Sequence, residues 1–283
     1  MTSALRPGSQ FLLDSARKYF DKVFEKPPFR DDLHLNSLLR WNPGLRFELN
    51  KHLTVLIEPS EEAVYPQILR LRYAHILGVH QPIAVYCSCP TEVCNAESQA
   101  DDLTDLVAHG MGLLSVDRNG IATRRLTAIP LIQNISDSEF RAHLGGLPPS
   151  FRQRLAEAFE SYRSKPTSGV AEITELVEGV VHRAGKDAVG KAWLTKPDVK
   201  PGFSANTLDL LIAHTATKGQ SAAWGAARGF VAQWRNISHH FPANKKQAAK
   251  KYTECRHAFL DGLKQMQALR TACKKVRLSG ALP

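Results

Sequence analysis

Long apolar runs are missing from this chain. Nowhere do eighteen apolar residues follow one another, which excludes an ordinary membrane-spanning helix of ~20 residues. The N-terminus also lacks a charged stretch leading into an apolar core, so the expectation is a soluble, cytoplasmic protein without a membrane partner. Cysteine is scarce. The five thiols, Cys87, Cys89, Cys94, Cys255 and Cys273, are odd in number and sit in no secretory context, which points to reduced side chains rather than a disulfide framework.

Several catalytic signatures are absent as well. Cys87-x-Cys89-x4-Cys94 has no nearby fourth ligand and departs from the paired spacing of zinc sites, so no metal and no cofactor is expected. Lys218-Gly219-Gln220-Ser221 lacks the upstream glycine of a phosphate loop and follows a helical pattern, which makes it a turn. Neither Ser88 nor Ser238 lies in a nucleophile elbow. Glu58 and Asp117 fall at strand ends, yet no Asp/Glu-x-Lys follows on a strand, so an intact Mg²⁺-dependent nuclease is not expected. Asp117 reads as shaping the turn before Asn119-Gly120.

The 283 residues suffice for two cores. In the first half, apolar residues recur at helical intervals from Phe11 to Phe24 and stop before Pro27-Pro28. Residues 29–50 read as a connection with a helix over Leu33–Arg40. Strand formers then cluster at 52–58, 82–88, 112–117 and 121–128, with helical patterns at 62–77 and 96–109 between them. Asp117-Arg118-Asn119-Gly120 predicts a hairpin. The fold class expected for residues 1–145 is α/β with a small mixed sheet. It loosely resembles the back half of a restriction-endonuclease-like fold, in the role of a sensor, a docking surface or a degenerate nuclease.

Leu144-Gly-Gly-Leu-Pro-Pro149 marks the boundary. Beyond it, residues 146–283 read as an all-α bundle. Ser150 is the expected N-cap of a helix over 151–162, with Phe151, Leu155, Ala158, Phe159 and Tyr162 on one face. Further helices are expected over 170–193, 207–217 and 221–239, although Gly179, Gly185 and Gly190 argue against a continuous rod in the first of these. Asn244 should cap a last, basic helix with Tyr252, Phe259, Met266 and Cys273 at heptad spacing. His214 and His257 read as core or boundary histidines, and Cys255 and Cys273 as core thiols.

Charge is unevenly placed. The chain has 37 basic and 27 acidic residues, a net +10, with pI near 9.5. From Arg235 onward eleven cations face only Glu254 and Asp261, so nearly all of the excess follows that position. A solvated helix face would explain such a stripe, and so would attraction of a polyanion by counterion release. Arg228, Lys245, Lys246, Lys250 and Lys251 are the cations that would hold RNA.

Immediately before the stripe stands Arg235-Asn236-Ile237-Ser238-His239-His240. A permanently charged guanidinium can offset charge building on a phosphate, and an imidazole can exchange protons near neutral pH. The bland reading is a capped helix end, where cations complement the macrodipole. On a regular helix His239 lies about 40° from Arg235 and His240 about 140° away, whereas Pro242 disfavours helical backbone at Phe241 and would let His240 swing back. Asn236 would orient the imidazole or a phosphate, or simply be an exposed amide.

The run, with its flanking helical patterns, resembles the HEPN (higher eukaryotes and prokaryotes nucleotide-binding) family over residues 148–277. That family's signature is an Arg, a polar residue, and a His after four to six intervening positions; four separate Arg235 from His240. The resemblance implies a bundle that dimerises to bring two motifs into one cleft. It also implies metal-independent RNA cleavage by 2'-hydroxyl attack, leaving a 2',3'-cyclic phosphate and a 5'-hydroxyl. On that reading Arg235 and His240 are catalytic, His239 is the substitute and Asn236 assists. The implied setting is a toxin–antitoxin or phage-defence system, with an antitoxin or defence partner. The rival expectation is a nonenzymatic RNA-binding or regulatory protein.

Overall fold

The computed structural model describes residues 7–30, 41–49, 52–79, 81–200, 202, 204–234 and 244–282. The chain divides into two units, one of residues 1–138 with 242–253, the other of residues 139–241 with 254–283.

The first unit is α/β. Helix α1 (Pro7–Val23) precedes strands β1 (Phe29–Arg30), β2 (Leu45–Leu49) and β3 (Leu53–Pro59). Then follow α2 (Gln67–Gly78), β4 (Ile83–Pro90), the single turn α3 (Thr91–Cys94), α4 (Ala100–Ala108), β5 (Gly112–Val116) and β6 (Ala122–Leu126). The six strands lie in sequence order; β3, β4 and β5 run parallel and the outer pairs antiparallel, so the sheet is mixed as expected.

Side chains alternate between the two faces of the sheet. Leu13, Ala16 and Phe20 of α1 pack on one face against Phe47, Val55, Ile57 and Tyr86. Leu69, Ile76 and Leu106 of α2 and α4 cover the other, against Leu56, Val85, Cys87 and Leu113. The central β4 is buried from Ile83 to Cys89, which is why it reads as an unbroken apolar run. Gly112 is required opposite Tyr86, because a Cβ there would come within 2.4 Å of the tyrosine ring.

One expectation for this unit changes. Residues 29–50 are not merely a connection: Leu45-Arg-Phe-Glu-Leu49 forms a paired strand whose Leu45 and Phe47 are buried, with Arg46 and Glu48 on the other face. The helix expected over 33–40 lies outside the described residues. The β5–β6 turn forms as expected: Asp117 Oδ1 accepts from the backbone N–H groups of Asn119 (2.9 Å) and Ile121 (2.8 Å), and Gly120 takes φ +76°.

The second unit is helical. The short α5 (Asp137–Ala142) leads into it, followed by α6 (Pro149–Ser164), α7 (Pro166–Gly190), α8 (Ser204–Ala213), α9 (Ser221–Trp234) and α10 (Lys245–Lys275). The predicted face of α6 is buried at all five positions. Phe140 stacks on Phe159 at 4.1 Å, and Tyr162 meets Phe259 of α10 at 4.7 Å. Ser150 is not the N-cap of α6; the helix starts two residues earlier than expected, with Pro149 at its first position, where a missing N–H costs nothing.

Helix α7 runs unbroken through its glycines, and at two of them neighbouring elements come close, whereas Gly190 has open space around it. A Cβ on Gly169 would lie 2.3 Å from Tyr162 Cβ, and one on Gly185 would lie 2.8 Å from Thr207. Close approach of neighbouring elements thus outweighs the roughly 1 kcal/mol that glycine costs a helix. Asn244 caps α10 as expected, its Oδ1 accepting from Gln247 N at 3.0 Å. In that helix Cys255, Phe259, Met266 and Cys273 are fully buried.

Candidate nucleic-acid interface

The flanks of the Arg235–His240 run are set by two helices. Helix α9 buries Trp224, Ala227, Phe230 and Val231 on one face and ends at Trp234. Helix α10 opens at Lys245 behind its Asn244 cap. Arg235, Asn236, His239 and His240 lie between them, outside the described residues.

The predicted RNA-binding cations are placed differently from one another. Arg228 sits on α9 with its Nε 3.1 and 3.2 Å from the two carboxylate oxygens of Asp209 on α8, so its charge is balanced within the bundle. Lys246 and Lys250 are exposed one turn apart at the start of α10, and Lys251 is half-buried. Lys245 is the first residue of the same helix.

Farther along α10 the basic stripe is not uniform. Arg256 Nη2 donates to both oxygens of Glu139, at 2.7 and 2.9 Å. Arg270 Nη1 donates to Gly146 O at 2.8 Å, with its guanidinium 5.8 Å from the Phe151 ring. These two cations hold the bundle together, a role that a count of charges does not reveal. Lys264, Lys274 and Lys275 stay exposed. His257 is exposed too, which corrects its reading as a core or boundary residue, whereas His214 is half-buried, stacks on Trp193 and accepts from Ala216 N.

The α/β unit holds polar groups of its own. Glu58, half-buried at the end of β3, is pushed up to about 7 by burial, against the opposing pull of hydrogen bonds from Trp41 and the Gly44 backbone. Asp117 spends its carboxylate on the hairpin. Among the described residues, no group of three His, Cys, Asp or Glu side chains is arranged to hold a metal ion. Cys87 and Cys89 share one face of β4 with their sulfurs 3.3 Å apart, and the contact with the Cys87 thiol, together with burial, raises Cys89 far above the ordinary range against the opposing pull of Cys94.

A network that the sequence did not reveal joins α2 to α4. Tyr65 Oη lies 2.6 Å from His109 Nδ1, Tyr73 stacks on the imidazole at 4.0 Å, and Arg70 lies 4.3 Å above the Tyr65 ring. The same Arg70 reaches Asp102 at 2.6 Å and Asp105 at 2.7 Å. Burial lowers the His109 pKa, so this ring is neutral at pH 7. Its partners stand 36 and 44 residues away in sequence, and no local spacing signals them. The arrangement pins two helices together.

No family model, curated protein or solved structure matched the chain in comparisons with each. No described helix is long and apolar enough to cross a membrane.

Proposed function

We propose that the protein is a metal-independent endoribonuclease of HEPN type, with Arg235 and His240 as its catalytic pair. One observation carries the reading: the Arg-Asn-Ile-Ser-His-His run stands in sequence between the end of an amphipathic helix and the capped start of a basic one. That order supplies a charge stabiliser, a proton carrier and strand-holding lysines within a short stretch of chain. Lys245, Lys246, Lys250 and Lys251 would grip the backbone.

In the proposed reaction a neutral imidazole takes the proton of the RNA 2'-hydroxyl as its oxygen attacks the adjacent phosphorus. The P–O5' bond then breaks, and the leaving oxygen receives a proton from an imidazolium. Arg235 offsets the extra negative charge of the phosphorane, a contribution of about 3–4 kcal/mol for a preorganised donor. Asn236 orients the ring or a phosphate, and His239 is the alternative proton carrier. A homodimer joined through the helical unit would present two motifs, so that one imidazole acts as base and the other as acid. The biological setting proposed is a toxin or phage-defence effector with an inhibitory partner.

Incubation with RNA in EDTA tests this directly. The expected products carry 2',3'-cyclic phosphate and 5'-hydroxyl ends, and Arg235→Ala or His240→Ala slows their formation by about 10²-fold or more. Retarded but intact RNA would instead identify a nonenzymatic RNA-binding protein. Loss of cutting only in His239→Ala would move the catalytic role to that residue.

A further inference from the structure

We infer that the helical unit carries a second RNA-backbone site, in the cavity bounded by the start of α6, the end of α10 and the chain that follows α10. Its volume is about 1150 Å³. That is at the upper end of the ~300–1,000 Å³ typical of ligand pockets. Arg154, Arg270, Lys274 and Lys275 line it, and Glu157 is the one carboxylate among the lining residues. Glu157 is already engaged by Arg154 at 3.3 Å. The two lysines are exposed and pair with no carboxylate among the described residues.

The walls are held in place. Leu278 N donates to Cys273 O at 2.8 Å, closing the end of α10, and Ser279 N donates to Asp187 Oδ2 at 3.0 Å. Arg270 and Gln267 fasten the loop before α6 through the carbonyls of Gly146 and Gly145. At the start of α6 no side chain caps the open N–H groups, and exposed Ser150 lies at the cavity wall.

The lining favours phosphate over base. The single aromatic there, Phe151, is 3 % exposed and offers no face on which a base could stack. What remains is an apolar wall that includes Leu176 and Leu278, edged by the hydroxyls of Ser150 and Thr271 and by Lys274 and Lys275, and that cationic edge would hold a phosphodiester chain without reading its sequence. This extends the ribonuclease reading: the strand would be held here as well as at Arg235–His240. The inference rests on that reading for its choice of RNA.

The test is RNA binding by the full chain carrying Arg235→Ala, which removes proposed cleavage and leaves this cavity intact. Fluorescence anisotropy with a labelled single-stranded RNA should show about tenfold weaker binding for Lys274→Gln/Lys275→Gln. The slope of log K against log salt should fall by about 1.4, the loss of two single-strand phosphate contacts. As a control, Lys18→Gln/Lys22→Gln on α1, exposed lysines on the other unit, should leave both unchanged. Equal loss in the control, no loss in the cavity variant, or tighter binding of inorganic tripolyphosphate than of RNA would overturn the inference. The two proposals separate cleanly: intact binding without cleavage in the unsubstituted protein sinks the ribonuclease and spares the cavity, and cleavage with cavity-independent binding does the reverse.

Discussion

Glu58 shows how little a residue's identity says about its state. From the sequence it is a carboxylate at a strand end, available for a metal or a cap; in the fold it is a half-buried acid raised from 4.5 to about 7, hydrogen-bonded to Trp41. The folded protein holds this proton more tightly than the unfolded chain does. The resulting stability is present below about pH 4.5 and is lost as pH rises through about 7. Glu58→Gln keeps an acceptor for the indole and removes the titration. Denaturant unfolding at pH 5 and pH 8 should therefore find the variant close to the parent at the lower pH. At the higher pH it should be more stable by on the order of 1–2 kcal/mol, with solvent screening at this half-buried position allowed for. Equal pH dependence in both proteins would mean that the carboxyl is solvated. Asp117, by contrast, was legible, because an Asp two residues before Asn-Gly has a local job that needs no distant partner.

Elements were legible in proportion to the length and clarity of their period. The faces of α6 and α10 could be read because apolar side chains recur over several turns; all five on α6 are buried, as are Phe259, Met266 and Cys273 on α10, while Tyr252 is half-buried. Strand β2 escaped because five alternating residues amid polar chain look like a loop until β3 is seen beside it. Glycine in α7 misled for a physical reason: propensity scales rate its lost entropy and ignore what it lets approach. Gly169→Ala tests the point, since a Cβ there meets the backbone and Cβ of Tyr162 at 2.3–2.5 Å, none of which can swing aside. The substitution should destabilise by about 2–3 kcal/mol, although Ala is the better helix former. Gly229→Ala in α9, with nothing within 4 Å, should be neutral or stabilising by up to about 1 kcal/mol. A thermal melt of both variants reads the difference, and matching shifts would contradict the close packing of α6 on α7.

At the scale of the whole molecule, composition drew an α/β half and a helical half, and the structure has a mixed sheet in its N-terminal part and helices in its C-terminal part. What it could not draw is that the first unit takes in residues 242–253 from far along the chain. Charge was similarly ambiguous at this scale. Arg256 and Arg270 counted as part of a basic stripe, and Arg228 as an RNA-holding cation before it, yet each is engaged inside the helical unit, and only a structure separates such cations from exposed Lys274 and Lys275. The discontinuity predicts that residues 1–145, expressed alone, form a weaker unit than the same residues in the full chain. Amide hydrogen exchange at β3 and β4 should be measurably faster in the fragment. Identical protection would show that 242–253 contribute nothing to it.

That late-arriving segment also sets an order of events during synthesis. The six strands pair with their neighbours in sequence, so the sheet can assemble while the ribosome is still working. Its last component is more than a hundred residues behind residue 138, a wait of roughly 5–20 s at ordinary elongation rates. Until then the nascent chain carries an unfinished first unit, and the same delay precedes emergence of Arg235–His240. A ribosome that stalls before that point releases a chain with neither a completed sheet unit nor the groups proposed to cut RNA.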